Sequence, residues 1–221
     1  MVKYFTIMGE RCSGTNFLES AILKNFELEL IWHYGYKHFF GFYNYNNKNP
    51  IIENDDDVLF IGIIREPISW INSLYEKKYH IPNENKDNIN KFLNNEFYSI
   101  DDNDNEIMQD RNYRNGKRYK NIFEMRYYKN HYLINHQKKV KNYLLIRYED
   151  LKNNYDNILN FICNKFNLTK KLDNFVKINS YKGQGTQIYQ EKQIKLNKNI
   201  INQIKNKLNK KQEISIGYNQ F

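Results

Sequence analysis

The segment Gly9-Glu10-Arg11-Cys12-Ser13-Gly14-Thr15-Asn16 has the residue types and spacing of an anion cradle. An apolar run ending at Ile7-Met8 enters a glycine-bounded turn, and an amphipathic stretch beginning at Thr15 leaves it. The first amides of a helix have no intrahelical partner and the helix dipole adds positive charge there, so such a turn attracts phosphate. The Gly9-x4-Gly14 spacing is that of a phosphate-binding loop, but Thr15-Asn16 stands where an NTPase carries Lys followed by Ser or Thr. The loop is therefore suited to a phosphorylated donor other than ATP or GTP. Arg65 closes the apolar run Val58–Ile64, and a guanidinium there is either a phosphate fork or an ion-pair partner. Ser69 and Ser73 follow at helical spacing and would add hydroxyls to a second phosphate subsite, or serve as ordinary helix-surface serines.

Other chemistries fail on spacing. A cysteine phosphatase would place Arg six positions after Cys12, where Leu18 stands. His131 and His136 are five apart and diverge on a helix, so no metal site is expected. Cys12 and Cys163 are too few for a disulfide framework or a cysteine zinc site.

The elements that must position these residues alternate. Val2–Met8 reads as a strand, Thr15 to about Asn25 as a helix with Phe17, Leu18, Ala21 and Ile22 on its apolar face, and Glu27–His33 as a second strand. Val58–Ile64 fits a strand buried on both faces, with Pro67 opening the next helix. A helix is expected from about Ile122 to Lys138, then a strand over Lys141–Ile146 that ends in Arg147-Tyr148-Glu149-Asp150-Leu151, and a helix from there to Phe166. This order implies an α/β fold with a mainly parallel sheet. The 221 residues fit one domain, with a polar insertion or lid at about 80–120 that carries a short helix around Ile89–Phe97.

Net charge is +9, and all of it lies after Leu151, where 13 lysines and no arginine face four acids. A basic C-terminal third suits nucleotides, nucleic acid or acidic lipid, or is a solvated lysine-rich helix surface. Met1–Met8 reads as a strand rather than a secretory leader, and the longest apolar run is too short to span a bilayer. A soluble, cytoplasmic protein without a membrane span is the expectation.

Three ordered motifs resemble the signatures of the sulfotransferases that use 3'-phosphoadenosine 5'-phosphosulfate (PAPS). They are Arg11-x-Ser13-Gly14-Thr15-Asn16-Phe17-Leu18, Arg65-x-Pro67-x5-Ser73-x-Tyr75 and Arg147-Tyr148-Glu149-Asp150-Leu151. The resemblance implies a three-layer α/β/α, P-loop-NTPase-like domain. It implies that Arg11, Cys12, Ser13, Gly14, Thr15 and Asn16 bind the 5'-phosphosulfate, and that Arg65 and Ser73 bind the 3'-phosphate. Lys182 and Gly183, in Tyr181-Lys182-Gly183-Gln184-Gly185, resemble a basic-glycine segment that reaches the same phosphate.

The resemblance also implies metal-free, in-line transfer of a sulfuryl group to a hydroxyl or amine of a small molecule or glycan. Tyr36-Lys37-His38-Phe39 lies where soluble members carry their lysine and histidine, so His38 is the candidate base and Lys37 the candidate contact to the sulfuryl or bridging oxygen. The spacing departs from Lys-x-His. On a strand, adjacent side chains face opposite ways and only one would reach the site. His33 and Glu10 are the alternative bases. Tyr34, Tyr36, Phe39 and Phe40 line an acceptor pocket or pack in the core. Nucleic acid is not the expected partner. The alternative function is a catalytically inactive nucleotide- or nucleic-acid-binding protein on the same fold.

Overall fold

The computed structural model describes residues 1–40, 56–180, 188 and 193–219. Its contacts divide the chain into two compact units. The first comprises Met1–His38, Pro50–Arg65 and Leu133–Lys192; the second comprises Phe39–Asn49, Glu66–Tyr132 and Gln193–Phe221.

The first unit is built on a four-stranded, all-parallel sheet in the order β2-β1-β3-β4. The strands are β1 (Tyr4–Met8), β2 (Glu29–Leu30), β3 (Val58–Ile64) and β4 (Tyr143–Arg147). The protein is thus of the mixed α/β class. β3 is buried at every residue, as its unbroken apolar sequence requires of a central parallel strand. It pairs with β1 from Tyr4↔Val58 to Met8↔Gly62 and with β4 from Phe60↔Tyr143 to Ile64↔Arg147. Gly62 is the one place on β3 where a side chain has no room: a Cβ there would lie 2.6 Å from the Tyr143 hydroxyl, which donates to the Leu133 carbonyl at 2.7 Å.

Helix α1 (Thr15–Asn25) buries Leu18, Ala21 and Ile22 against the sheet residues Phe5, Ile7, Leu59, Ile61 and Ile63. Leu151, Leu159 and Ile162 complete the same core. Burying an aliphatic side chain of this size contributes about 1.5–3 kcal/mol, so this cluster is the main support of the loop between β1 and α1.

Two expectations change. The second strand pairs over only Glu29–Leu30 rather than Glu27–His33. It is an edge strand, and after Ile31 donates to the Phe5 carbonyl the chain turns, with Gly35 at φ 98° and its N–H on the Trp32 carbonyl. The strand end at Arg147–Leu151 and the helix expected from there to Phe166 are instead two helices, α6 (Tyr148–Asn153) and α7 (Tyr155–Phe166). They break at Asn154, whose φ of −125° is not helical. The Asn153-Asn154 pair explains the break, because asparagine side chains compete with the helix for backbone hydrogen bonds.

The second unit contains α2 (Pro67–Lys77), α3 (Asn83–Lys86), α4 (Ile89–Asn94), a 3₁₀ turn at Met108–Asp110, most of α5 (Ile122–His136), α8 (Lys198–Lys207) and α9 (Lys210–Ser215). Pro67 occupies the first turn of α2, and the Glu66 carboxylate caps it by accepting from the Ile68 and Ser69 amides at 3.0 and 2.6 Å. The polar stretch 80–120 carries its own buried residues, including Ile81, Phe92, Leu93, Phe97 and Tyr119. Arg126 on α5 makes a buried, bidentate ion pair with Glu213 on α9, at 2.6 and 2.7 Å. Lys129 and Ser99 both donate to the buried Asp110 carboxylate. Among the described residues no helix is long and apolar enough to cross a membrane.

Candidate functional site

The sheet order places β1 and β3 side by side while their connections leave in opposite directions, β1 through α1 to β2 and β3 onward to β4. In open parallel sheets this switch point, at the carboxyl ends of the strands, is where ligands collect. The Gly9–Gly14 loop leaves β1 there, and Arg65 follows the last residue of β3.

The loop's shape is fixed by its glycines. A Cβ at Gly9 would lie 2.6 and 2.7 Å from the side chain and carbonyl of Ile63. Gly14 caps α1 at φ 97°, and a Cβ there would collide with the Tyr148 ring. Cys12 also takes a left-handed conformation, φ 63°. Between them Glu10 organises the turn: its carbonyl accepts from the Ser13 amide (3.1 Å) and hydroxyl (2.5 Å). Its carboxylate accepts from the Arg11 amide and Nε at 2.7 and 2.8 Å. Arg11 is therefore a buried ion-pair partner, 2 % exposed, and Ser13 is turned onto its own loop.

Arg65 reaches the loop from β3. Its Nη1 donates to the Cys12 carbonyl at 3.0 Å, and its guanidinium lies 4.9 Å from the centroid of the Tyr148 ring. Tyr148 thus contacts both the glycine that opens α1 and the arginine that closes β3.

Lys37 and His38 lie in a turn rather than on a strand, so both reach the loop and α1 from one side. The Lys37 ammonium donates to Asn16 Oδ1 and Glu19 Oε2, each at 2.7 Å, while its carbonyl accepts from the Gly9 amide at 2.9 Å. His38 Nδ1 lies 2.7 Å from the Gly9 carbonyl. A carbonyl only accepts, so Nδ1 carries the proton and the lone pair of the neutral ring sits on Nε2. Burial pushes the His38 pKa down to about 3; the Arg11 and Lys37 charges push the same way, and Glu10 and the Gly9 carbonyl oppose them. At neutral pH the ring is an uncharged imidazole with a fixed tautomer.

The structure brings Arg11, Cys12, Ser13, Gly14, Thr15, Asn16, Lys37, His38 and Arg65 together in the first unit. Ser73 belongs to the second unit, buried on α2. His33 is exposed, and Glu10 is held by Arg11. Lys182 and Gly183 lie outside the described residues. Glu19 and Tyr148 are the two participants the sequence reading did not assign to the site. Glu19 was findable, because it follows Asn16 by one helical turn on α1. Tyr148 sits inside the Arg147-Tyr148-Glu149-Asp150-Leu151 motif, to which no ligand contact was assigned. Among the described residues no group of three or more His, Cys, Asp or Glu is placed to hold a metal ion.

Of the three cationic side chains here, Arg11 pairs with Glu10 and Lys37 with Glu19, while Arg65 donates to the loop carbonyl of Cys12, and the closeness of Gly14 to Tyr148 leaves no room for a side chain in the loop. No family model, curated protein or solved structure matches the chain.

Proposed function

We propose that the protein is a PAPS-dependent sulfotransferase whose sheet is the core of a three-layer α/β/α, P-loop-NTPase-like fold. The observation that carries this reading is the loop at the β1–β3 switch point, flanked by Arg65 on one side and by Lys37 and His38 on the other. The position that holds the γ-phosphate lysine in an NTPase is Thr15 here.

On this reading the backbone from Cys12 to Asn16 receives the 5'-phosphosulfate and Arg65 the 3'-phosphate. His38 Nε2 takes the proton of the acceptor hydroxyl or amine as that group attacks sulfur in line. Lys37 and the α1 amides stabilise charge on the sulfuryl and bridging oxygens. The product is 3'-phosphoadenosine 5'-phosphate. The acceptor is a small molecule or glycan.

A second reading, a binding protein that has lost catalysis, is favoured by one feature. A base with a pKa of about 3 is weak, and Lys37 is engaged by Glu19. An arriving anion resolves the difference in sign, because negative charge beside His38 raises its pKa. The test is incubation with ³⁵S-labelled PAPS and a panel of phenols, glycans and amines. Transfer that vanishes in His38→Ala supports the enzyme. Binding of 3'-phosphoadenosine 5'-phosphate without transfer moves the protein to the binding reading. Retention on DNA that this bisphosphate does not displace moves it to nucleic acid.

A further inference from the structure

Residues 193–219 of the second unit form α8 and α9 and carry six lysines, no arginine and one acid, Glu213. Glu213 is turned inward onto Arg126, so it offsets none of the lysine charge. Each helix is started by an asparagine. Asn197 accepts from the Ile200 amide and Asn209 from the Gln212 amide, both at 3.0 Å. On α8 Ile204 is buried, while Lys198, Asn202, Asn206 and Lys207 are exposed. On α9 Gln212 and Glu213 are buried, and Lys210, Lys211 and Ile214 are exposed. Lys195 pairs with Glu76 at 3.1 Å, and Lys207 donates to the neutral Asn94 side chain. Among the described residues Lys198, Lys205, Lys210 and Lys211 meet no carboxylate. Ile214 is 55 % exposed, one helical turn from Lys210 and next to the residue that Arg126 anchors. An aliphatic side chain is thus held out of the core among uncompensated lysines.

We propose that the lysine face of α8 and α9 docks on bilayers containing anionic phospholipid, with Ile214 entering the boundary between headgroups and acyl chains. Charge complementarity calls for a polyanion, and the residue types choose between two. Nucleic acid is gripped by arginine forks and by aromatic rings that stack on bases. Residues 193–219 offer no arginine, and their one aromatic, Tyr218, is 7 % exposed. Clusters of about four to eight basic residues on an amphipathic helix suit the anionic leaflet instead. Ammonium groups on flexible stems meet headgroup phosphates and carboxylates as point charges, without a fixed geometry. An isoleucine beside them gains by leaving water at the same surface, a gain that a phosphate backbone does not offer. Such docking is independent of the reaction performed in the first unit.

The full-length protein is sedimented with sucrose-loaded vesicles of phosphatidylcholine containing about one-third phosphatidylserine, and with vesicles of phosphatidylcholine alone. Saturable partitioning is expected onto the anionic vesicles only. Lys210→Gln with Lys211→Gln should weaken it about 25-fold, roughly five-fold for each lysine. Ile214→Ser should weaken it about ten-fold, the effect of returning about two methylene groups to water. Lys138→Gln with Lys139→Gln, an exposed pair in the first unit, should leave it unchanged. Absence of partitioning, or equal loss in the Lys138 and Lys139 variant, overturns the proposal, the latter because net charge alone would then explain the attraction. Undiminished partitioning in Ile214→Ser also overturns it. A single-stranded oligonucleotide that displaces the protein from the vesicles, and binds equally well to Ile214→Ser, assigns the surface to nucleic acid instead.

Discussion

At the scale of single residues, the site depends on a few positions where backbone shape and protonation are fixed together. Gly14 combines φ 97° with a Cβ position inside the Tyr148 ring. Gly14→Ala should destabilise the protein by about 1–3 kcal/mol, read as a lower urea midpoint, and Tyr148→Ala in the same background should restore part of the loss. A midpoint unchanged by Gly14→Ala would mean the loop does not hold this shape. His38 gives a second prediction. Its folded pKa of about 3 lies below the unfolded 6.5, so between these values the unfolded chain binds a proton that the folded one does not. Its contribution to stability is complete above pH 6.5 and is lost as pH falls towards 3. His136, lowered to about 4 by burial and by Lys139, adds in the same direction. His38→Gln should flatten the fall in urea midpoint between pH 7 and pH 5, and in the parent protein the His38 ring proton should not titrate by NMR over that range. An imidazole that titrates near pH 6.5 would contradict the buried, neutral assignment.

Residue types and spacing made the loop, Arg65 and the Lys37-His38 pair legible, because glycine spacing and cation placement are written locally. What was not legible is where the cations point. Arg11 stood in the sequence as a cation for the ligand, yet its neighbour Glu10 takes its guanidinium and buries it. Glu19 and Tyr148 act only through partners distant in the chain, which a local pattern does not record.

At the scale of elements, strong periodicity carried well and weak pairing did not. α1 runs over Thr15–Asn25 and β3 over Val58–Ile64, as the apolar patterns predict. β2 failed to extend because an edge strand gains half the pairing of a central one and the turn through Gly35 draws the chain away. Lys37 and His38 lie beyond both the expected and the observed strand, in the turn, from which Lys37 contacts Asn16 and Glu19 and His38 contacts Gly9. In the second unit, α5 and α9 are joined by the Arg126–Glu213 pair, with side chains 5 % and 2 % exposed. Removing one member strands a buried charge, so Glu213→Ala should cost about 3–5 kcal/mol, and Arg126→Met in that background should recover much of it. Equal loss in the single and double variants would show that packing, not charge, dominates this contact. The two helices have little in sequence to announce their pairing, because the partners are 87 residues apart.

At the scale of the whole molecule, charge is unevenly spread along the chain. The net +9 resides after Leu151, and over residues 193–219 the one acid, Glu213, is neutralised by Arg126. The parallel sheet supplies a switch point, and the loop with Arg65, Lys37 and His38 occupies it. The sequence alternation predicted the parallel sheet. The division into two compact units was not legible, because the second unit is assembled from stretches widely separated in the chain.

The Gly9–Gly14 loop is proposed to bind the 3',5'-bisphosphate of a sulfuryl donor. The most direct measurement is thermal unfolding with 3'-phosphoadenosine 5'-phosphate, beside ATP, GTP and 5'-AMP. A ligand present at 100 times its dissociation constant stabilises by about 2.7 kcal/mol, which for a chain of this length raises the midpoint by roughly 5 to 10 °C. That shift is expected for the bisphosphate alone, and its loss in Arg65→Ala. No shift, or an equal shift with ATP, would contradict it and leave a generic phosphate site.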